Sequence, residues 1–149
     1  MTMTTTTTKT TRSRTPVLGA FLAVLAAGVL TQAALAGLFL SLNPSVQFVH
    51  LLVGSALPWI AIIPTVIAWV RVGQRAIPAS FGVFVTLLAV GLWVQDALGH
   101  MGFPATTAVH VPLGVVLFGA SATLAIAAFR GGRPGRASGE LSRLRDSNP

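Results

Sequence analysis

Four long apolar segments constrain this chain more than any other feature of its sequence. They cover residues 17–40, 46–70, 79–99 and 105–129, and each is close to the roughly 20 residues that cross a bilayer core. Of the 149 residues, 53% are hydrophobic and 9% are charged, and the mean hydropathy is +0.78. A water-soluble domain of this length does not carry such a composition. The sequence therefore predicts an all-α, membrane-integral four-helix up-and-down bundle that forms one domain over residues 16–130.

The basic residues are all predicted to lie on one side of the membrane. They precede the first segment, lie between the second and third, or follow the fourth, and the two remaining connections carry no Lys or Arg. The positive-inside rule then places both termini in the cytoplasm, which suits a multi-pass protein of a bacterial inner (cytoplasmic) membrane. This asymmetry also explains the net charge of +7, so we expect no nucleic-acid partner. The ten residues are Lys9, Arg12, Arg14, Arg71, Arg75, Arg130, Arg133, Arg136, Arg143 and Arg145.

The two ends of the chain have a different composition from the apolar segments. Residues 1–15 are mostly threonine, and residues 131–149 are rich in Gly, Arg, Ser and Pro, so we predict that both are disordered cytoplasmic tails. The first apolar segment with Ala34-Leu35-Ala36 has an alternative interpretation as a cleaved signal peptide, but it is long for that role. Cysteine is absent, which excludes disulfides and thiolate ligation of a metal or haem.

Two His-x-x-x-Gly motifs recur 60 residues apart, in the second and fourth segments. They are His50 to Gly54 and His110 to Gly114. Each follows a segment that ends in a related sequence, Gln32-Ala-Ala-Leu-Ala-Gly37 in the first and Gln95-Asp-Ala-Leu-Gly99 in the third. The pattern predicts an internal two-helix repeat with a pseudo-two-fold axis along the membrane normal. Such an axis places the two imidazoles face to face near the outer surface.

Intramembrane ionisable residues point to a function by default, and paired imidazoles favour a shared ligand. Two neutral imidazoles on opposite faces of a haem give a six-coordinate, electron-transferring iron, so the predicted cofactor is one b-type haem. Each glycine lies one turn from its histidine on the same helix face, where a flat, bulky ligand can approach the backbone. The predicted haem-binding residues are His50, His110, Gly54, Gly114, Gln32 and Gln95. The second ring nitrogen of each ligand normally needs a partner, and groups at the right level are Gln32, Gln95, Thr106 and Thr107.

Other functions stay open at this point. The histidines can be structural hydrogen-bond donors in a non-enzymatic accessory or assembly subunit. An outer-side metal site can use both histidines together with His100 and Asp96. Asp96 can instead reach the headgroups, relay a proton or bind a quinone hydroxyl. A solute transporter would require oligomerisation, and hydrolase or nucleotide-dependent motifs are absent from the sequence.

The paired histidines, the Gln-x-x-x-Gly type sequences and His-x-x-x-Gly itself resemble one four-helix half of the heme A synthase family. They are also similar to small bacterial four-helix membrane proteins with paired histidines. The resemblance covers about residues 17–129 and implies that His50 and His110 correspond to a pair of haem ligands.

The resemblance stops at those ligands. The enzyme family has acidic residues before its second-helix histidine and often a cysteine pair, whereas Phe48 and Val49 precede His50 and cysteine is absent here. We therefore expect haem binding for electron transfer or haem holding, and not haem hydroxylation by this chain alone. The expected partners are the lipid bilayer, quinone or a respiratory or haem-handling membrane complex, and another copy of the chain in a homo-oligomer.

Overall fold

A computed structural model describes residues 15–41 and 43–131, and the regular elements within them are four α-helices: α1 (Pro16–Ser41), α2 (Val46–Gly73), α3 (Ala79–Met101) and α4 (Pro104–Arg130). Each helix is long and apolar enough to cross a membrane. The prediction of a four-helix, all-α membrane protein is confirmed, and the helix bounds agree with the apolar segments to within three residues. The predicted disordered tails lie almost entirely outside the described residues.

Local sequence explains where the helices stop. α3 ends at Gly102, whose φ of 66° is the left-handed conformation that glycine adopts without strain. Phe103 is extended, as expected before a proline, and Pro104 occupies the first turn of α4, where its missing N–H costs nothing. The connections from α1 to α2 (residues 42–45) and from α3 to α4 (residues 102–103) are short, which makes each pair an antiparallel hairpin.

Each helix packs against two neighbours. α1 contacts α2 and α4, and α3 contacts the same two helices, so α1 lies diagonally opposite α3 and α2 diagonally opposite α4. We call the end with the α1–α2 and α3–α4 connections the hairpin end. The other end, with Thr15, Gly131 and the α2–α3 connection, is the terminal end. This arrangement places the two histidine-bearing helices across the bundle axis from one another.

The two-helix repeat is visible in the packing near the terminal end. A Cβ added to Gly19 of α1 would lie 2.9 Å from the ring of Phe129 on α4. A Cβ added to Gly82 of α3 would lie 3.5 Å from the ring of Trp69 on α2. These glycines are 63 positions apart and these aromatic residues 60. The same glycine-to-aromatic contact therefore forms on both sides of the pseudo-two-fold axis.

A second pair of equivalent contacts lies near the middle of the bundle. The space beside Gly28 of α1 is filled by the Leu57 side chain of α2, and that beside Gly91 of α3 by Leu117 of α4. A Cβ at Gly91 would be 2.6 Å from that leucine, so no side chain fits there without a shift. Each glycine precedes a repeat glutamine by four residues, and each leucine follows a repeat histidine by seven. The repeat thus extends along most of the bundle.

The core occupies only the terminal half of the bundle. Buried apolar residues occur between Leu18 and Val29 of α1, Leu57 and Ala68 of α2, Val85 and Leu92 of α3, and Leu117 and Ala128 of α4. Towards the hairpin end, none of the described residues beyond these limits is buried. The bundle is therefore closely packed in the half near its terminal end (the terminal half) and loosely packed in the half near its hairpin end (the hairpin half).

Candidate functional site

The hairpin half contains a cavity of about 410 Å³ lined by all four helices. This volume lies within the range of about 300–1,000 Å³ that small-molecule sites occupy in proteins. Most of the wall is apolar. The polar side chains in it are Gln32, His50, Gln95, Asp96, His100 and His110, so the cavity brings together all three histidines and both repeat glutamines.

The two motif histidines have equivalent hydrogen bonds. His50 Nδ1 lies 3.1 Å from the backbone carbonyl oxygen of Gln32, and His110 Nδ1 lies 3.0 Å from that of Gln95. A carbonyl oxygen only accepts, so Nδ1 must be the protonated nitrogen in both rings. In the neutral imidazole this leaves Nε2 with a free lone pair, which is the form that ligates a metal. The sequence predicted the glutamines as partners, and the structure shows that their backbone carbonyls provide the bonds.

The separation of the two rings suits a shared metal ion. Their centres are 6.5 Å apart and their planes are inclined by 63°. A metal–imidazole bond is about 2 Å long and a ring nitrogen lies about 1.1 Å from its ring centre, so imidazoles on opposite sides of one metal have centres about 6 Å apart. Two imidazoles and the separation of their ring centres are what two histidine ligands of one haem iron require.

The motif glycines each lie beside a glutamine amide. A Cβ at Gly54 would lie 3.2 Å from Gln32 Oε1, and a Cβ at Gly114 would lie 3.2 Å from Gln95 Nε2. Each glycine thus makes room for the glutamine amide of the preceding helix. Both glycines and both glutamines line the cavity.

The two amides point in opposite directions. Gln95 donates from Nε2 to the backbone carbonyl of His110 at 2.9 Å, so this residue contacts the histidine helix through both its side chain and its own carbonyl. Gln32 presents its oxygen to Gly54 instead. Two buried polar atoms, Gln32 Nε2 and Gln95 Oε1, have no hydrogen-bond partner in the described part of the chain. They provide one donor and one acceptor in residues that line the cavity.

Two further residues fix the histidine rings, and the sequence interpretation missed both. The ring of Phe39 packs edge-on against His50, with centres 5.2 Å apart. His110 lies over Gly99, where a Cβ would be 3.1 Å from its Cε1. The position of Gly99, one turn after Gln95, was the available signal for the second contact.

Threonines 106 and 107 do not contact the histidines through their hydroxyls. Both donate to the backbone carbonyl of Phe103 in the first turn of α4, at 2.7 and 3.2 Å. Of the candidate partners for a ligating ring, Gln32 and Gln95 provide the bonds to Nδ1 through their carbonyls, and Thr106 and Thr107 do not.

The acidic residue of the cavity belongs to a separate polar cluster. Ser55 of α2 donates to Asp96 Oδ1 of α3 at 3.0 Å, and His100 Nδ1 lies 3.4 Å from the same oxygen and 2.9 Å from the Asp96 carbonyl. Over residues 15–41 and 43–131, no three His, Asp or Glu side chains come together in a geometry that could hold a metal ion. The structure therefore gives no support to a metal site that combines His100 and Asp96 with the histidine pair.

The terminal and hairpin ends differ in charge. The described arginines, Arg71, Arg75 and Arg130, all lie at the terminal end of the bundle. Among the described residues, His100 is the only side chain near the hairpin connections that can become cationic in addition to the motif histidines.

Comparison of the chain with family models, with characterised proteins and with solved structures finds no match in any of the three.

Proposed function

We propose that this chain is a membrane-integral, b-type haem-binding protein in which His50 and His110 are the two axial ligands. A haem held by these two residues would supply reversible one-electron chemistry. Electron transfer or haem holding for a partner in the same membrane is the function that such a centre supports. We assign no enzymatic step to the chain alone, and the relationship to one half of the heme A synthase family belongs to this proposal.

One observation carries the proposal: two imidazoles on diagonal helices have ring centres 6.5 Å apart, and each bonds a backbone carbonyl through Nδ1, which leaves Nε2 of the neutral ring unprotonated. The carbonyls of Gln32 and Gln95 fix the tautomer of each ring and also its orientation. Hydrogen bonds of this kind are the usual second contact of a metal-bound histidine. The pseudo-two-fold axis produces the same arrangement twice, as an iron with equivalent axial ligands requires.

The proposed orientation puts the terminal end in the cytoplasm, because Arg71, Arg75 and Arg130 lie there. The haem is then in the outer half of the inner membrane. A quinol, or a subunit of a respiratory or haem-handling complex, would exchange electrons or haem with it from that side.

The test is the reduced-minus-oxidised absorption spectrum of protein purified from haem-replete bacterial membranes. We expect a Soret band and sharp α and β bands of a low-spin, six-coordinate centre, and their loss in His50→Ala and in His110→Ala. His100→Ala is the matched control, since His100 lines the same cavity but has its Nδ1 contact with the Asp96 carbonyl. Colourless wild-type protein, or a spectrum that survives both ligand substitutions, would reject the proposal.

A structural role for the histidines also has a specific observation in its favour. Each ring bonds a carbonyl on its hairpin partner helix, so the pair ties α1 to α2 and α3 to α4 without any cofactor. A chain of this kind would be a non-enzymatic accessory subunit. In that case the wild-type protein is colourless under the same conditions, and His50→Ala lowers only the thermal stability of the bundle.

A further inference from the structure

The two interfaces that close the bundle between its hairpins differ at the level of the cavity. The pseudo-two-fold axis relates the α2/α3 interface to the α4/α1 interface. Near the terminal end they match, because Gly82 with Trp69 on one side corresponds to Gly19 with Phe129 on the other. Nearer the hairpin end the two interfaces use different residues, and the difference decides where the cavity opens.

The α2/α3 interface is sealed. Ser55 of α2 donates a hydrogen bond to Asp96 of α3 at 3.0 Å. About one turn further from the hairpin end, Trp59 and Trp93 pack edge to face with ring centres 4.9 Å apart. Neither tryptophan lines the cavity, and neither does Ser55, so these three side chains lie outside its wall.

The equivalent positions of the α4/α1 interface carry no such contacts. Val115 and Ala33 replace the hydrogen-bonded pair of Ser55 and Asp96, at sequence offsets of 60 and 63. Gly119 and Leu30 replace Trp59 and Trp93 at the same offsets. A Cβ added to Gly119 would meet nothing within 4 Å, so open space lies beside it.

The cavity reaches the surface of the bundle through these substituted positions. Val115, Leu30 and Ala33 line the cavity, yet Val115 is 69% exposed and Leu30 is 57% exposed. Val111, which also lines it, is 62% exposed. A residue that is both cavity wall and outer surface marks an opening, and this opening lies on the flank of the bundle, where lipid surrounds a membrane-spanning helix.

The other interfaces are bridged by hydrogen bonds at this level. His50 and the Gln32 carbonyl connect α1 to α2, and His110 and the Gln95 carbonyl connect α3 to α4. Between α1 and α4, the bond found in the described ranges joins Thr15 to the Ala128 carbonyl, at the opposite end of the bundle. The α1/α4 side is therefore the side from which a ligand can reach the histidines without breaking a polar contact.

The geometry points to a lateral entrance between α1 and α4, through which haem dissolved in the bilayer reaches His50 and His110. This inference rests on the proposed haem binding. The rim is apolar and carries no charge, so it admits the flat, largely apolar body of a porphyrin edge-on from lipid. The symmetry-related side is closed by the tryptophan pair and the Ser55–Asp96 bond. The cavity also reaches the surface at the hairpin end, where Leu40 and His100 line it and are exposed, so the α1/α4 interface is the lateral route.

The test introduces the contact residues of the closed α2/α3 interface at the equivalent positions of the α4/α1 interface. The variant carries Leu30→Trp, Ala33→Asp, Val115→Ser and Gly119→Trp, which rebuilds both contacts of the α2/α3 interface between α4 and α1. Haem-free protein in lipid vesicles is mixed with vesicles that contain haemin, and the growth of the low-spin Soret band is followed. We expect the sealed variant to acquire haem about tenfold more slowly than wild type, or slower still, since closure of a route acts on rates.

The outcomes separate the two proposals. If wild type develops no low-spin spectrum, haem binding itself fails. If wild type and the sealed variant acquire haem at the same rate, the entrance is not between α1 and α4 and this inference is overturned. Equal final absorbance with a slower approach in the variant supports it.

A second measurement needs no large substitution. Because the natural chain lacks cysteine, Val115→Cys and Val116→Cys each give a single site for a nitroxide label. Val116 is 64% exposed and does not line the cavity, so it is the matched control. Both labels should collide with oxygen from the bilayer rather than with a water-soluble nickel chelate, and only the Val115 label should slow haem uptake. Spin–spin broadening at position 115 would show that a second copy covers this face, and would overturn the inference.

Discussion

Each two-helix repeat runs the whole length of the bundle, yet its helices pack closely only in the terminal half and not in the hairpin half. In the terminal half, leucines fill the spaces beside Gly28 and Gly91, and Leu18, Leu22 and Leu25 are fully buried. In the hairpin half, glutamine amides and imidazoles surround a cavity of about 410 Å³. The buried core that stabilises the bundle and the candidate site therefore lie in different parts of the same four helices.

The comparison has a physical basis in the membrane environment. Lipid tails are as apolar as leucine, so no hydrophobic force drives helices together to close a space between them. Close packing of small residues against large ones holds the terminal half together. The hairpin half can then stay open for a ligand, provided that its backbone and histidine hydrogen bonds are satisfied.

The largest effect is expected from the double variant His50→Ala with His110→Ala. It should abolish haem binding completely and leave the bundle folded, because the core lies in the terminal half. The two lost interhelical hydrogen bonds should cost roughly 0.6 kcal/mol each, the typical value measured in membrane proteins. The measurements are the pyridine haemochrome assay and SDS-induced unfolding of the haem-free protein, followed by circular dichroism. Unfolding of the double variant in mild detergent would show that the two halves are not independent.

The next largest effect should come from the core, in Leu25→Ala. Leu25 is completely buried, and its truncation leaves a cavity among packed side chains. We expect a loss of about 1–3 kcal/mol in the free energy of unfolding, below the usual soluble range because burial from lipid contributes little. Leu30→Ala on the same helix is the control, since Leu30 is largely exposed and should change stability little. Equal losses in the two variants would contradict a core confined to the terminal half.

A smaller effect is expected in the hairpin half from Gly114→Ala. The new Cβ would lie 3.2 Å from Gln95 Nε2, so the amide must move and its bond to the His110 carbonyl weakens. Groups that orient a metal ligand typically contribute about 10-fold to 100-fold in affinity, and we expect the lower figure here. Haem titration of the apoprotein measures the change. Gly119→Ala, where nothing lies within 4 Å of the added Cβ, should bind haem as wild type does.

The smallest effect should distinguish the two glutamines. Gln95→Ala removes a hydrogen bond to the His110 carbonyl, whereas the amide nitrogen of Gln32 has no partner to lose. One interhelical bond of about 0.6 kcal/mol corresponds to roughly a threefold change in haem affinity. We therefore expect Gln95→Ala to release haem to apomyoglobin about threefold faster than Gln32→Ala does. If Gln32→Ala released haem faster than Gln95→Ala, the side-chain hydrogen bond of Gln95 would not explain how the two repeats hold the ligand.

The fold was largely predictable from the sequence, because membrane spans depend on length and hydropathy, which are local properties. The repeat of His-x-x-x-Gly also predicted that His50 and His110 face each other, and their rings are 6.5 Å apart. The hydrogen-bond partners were predicted less well. Thr106 and Thr107 are used by the α4 backbone, and the Ser55–Asp96 bond gave no sequence signal, since pairing between helices depends on their rotation and depth.

The sequence by itself determined four apolar helices, a two-fold repeat and two histidines at matching depth, because all three follow from spacing along the chain. The tertiary structure decided that Gly54 and Gly114 accommodate glutamine amides and that the cavity opens between α1 and α4. Both features depend on which side chains meet across an interface. Val115 and Ser55 occupy equivalent places in the repeat, but only the packed bundle shows that one borders an opening and the other a closed interface.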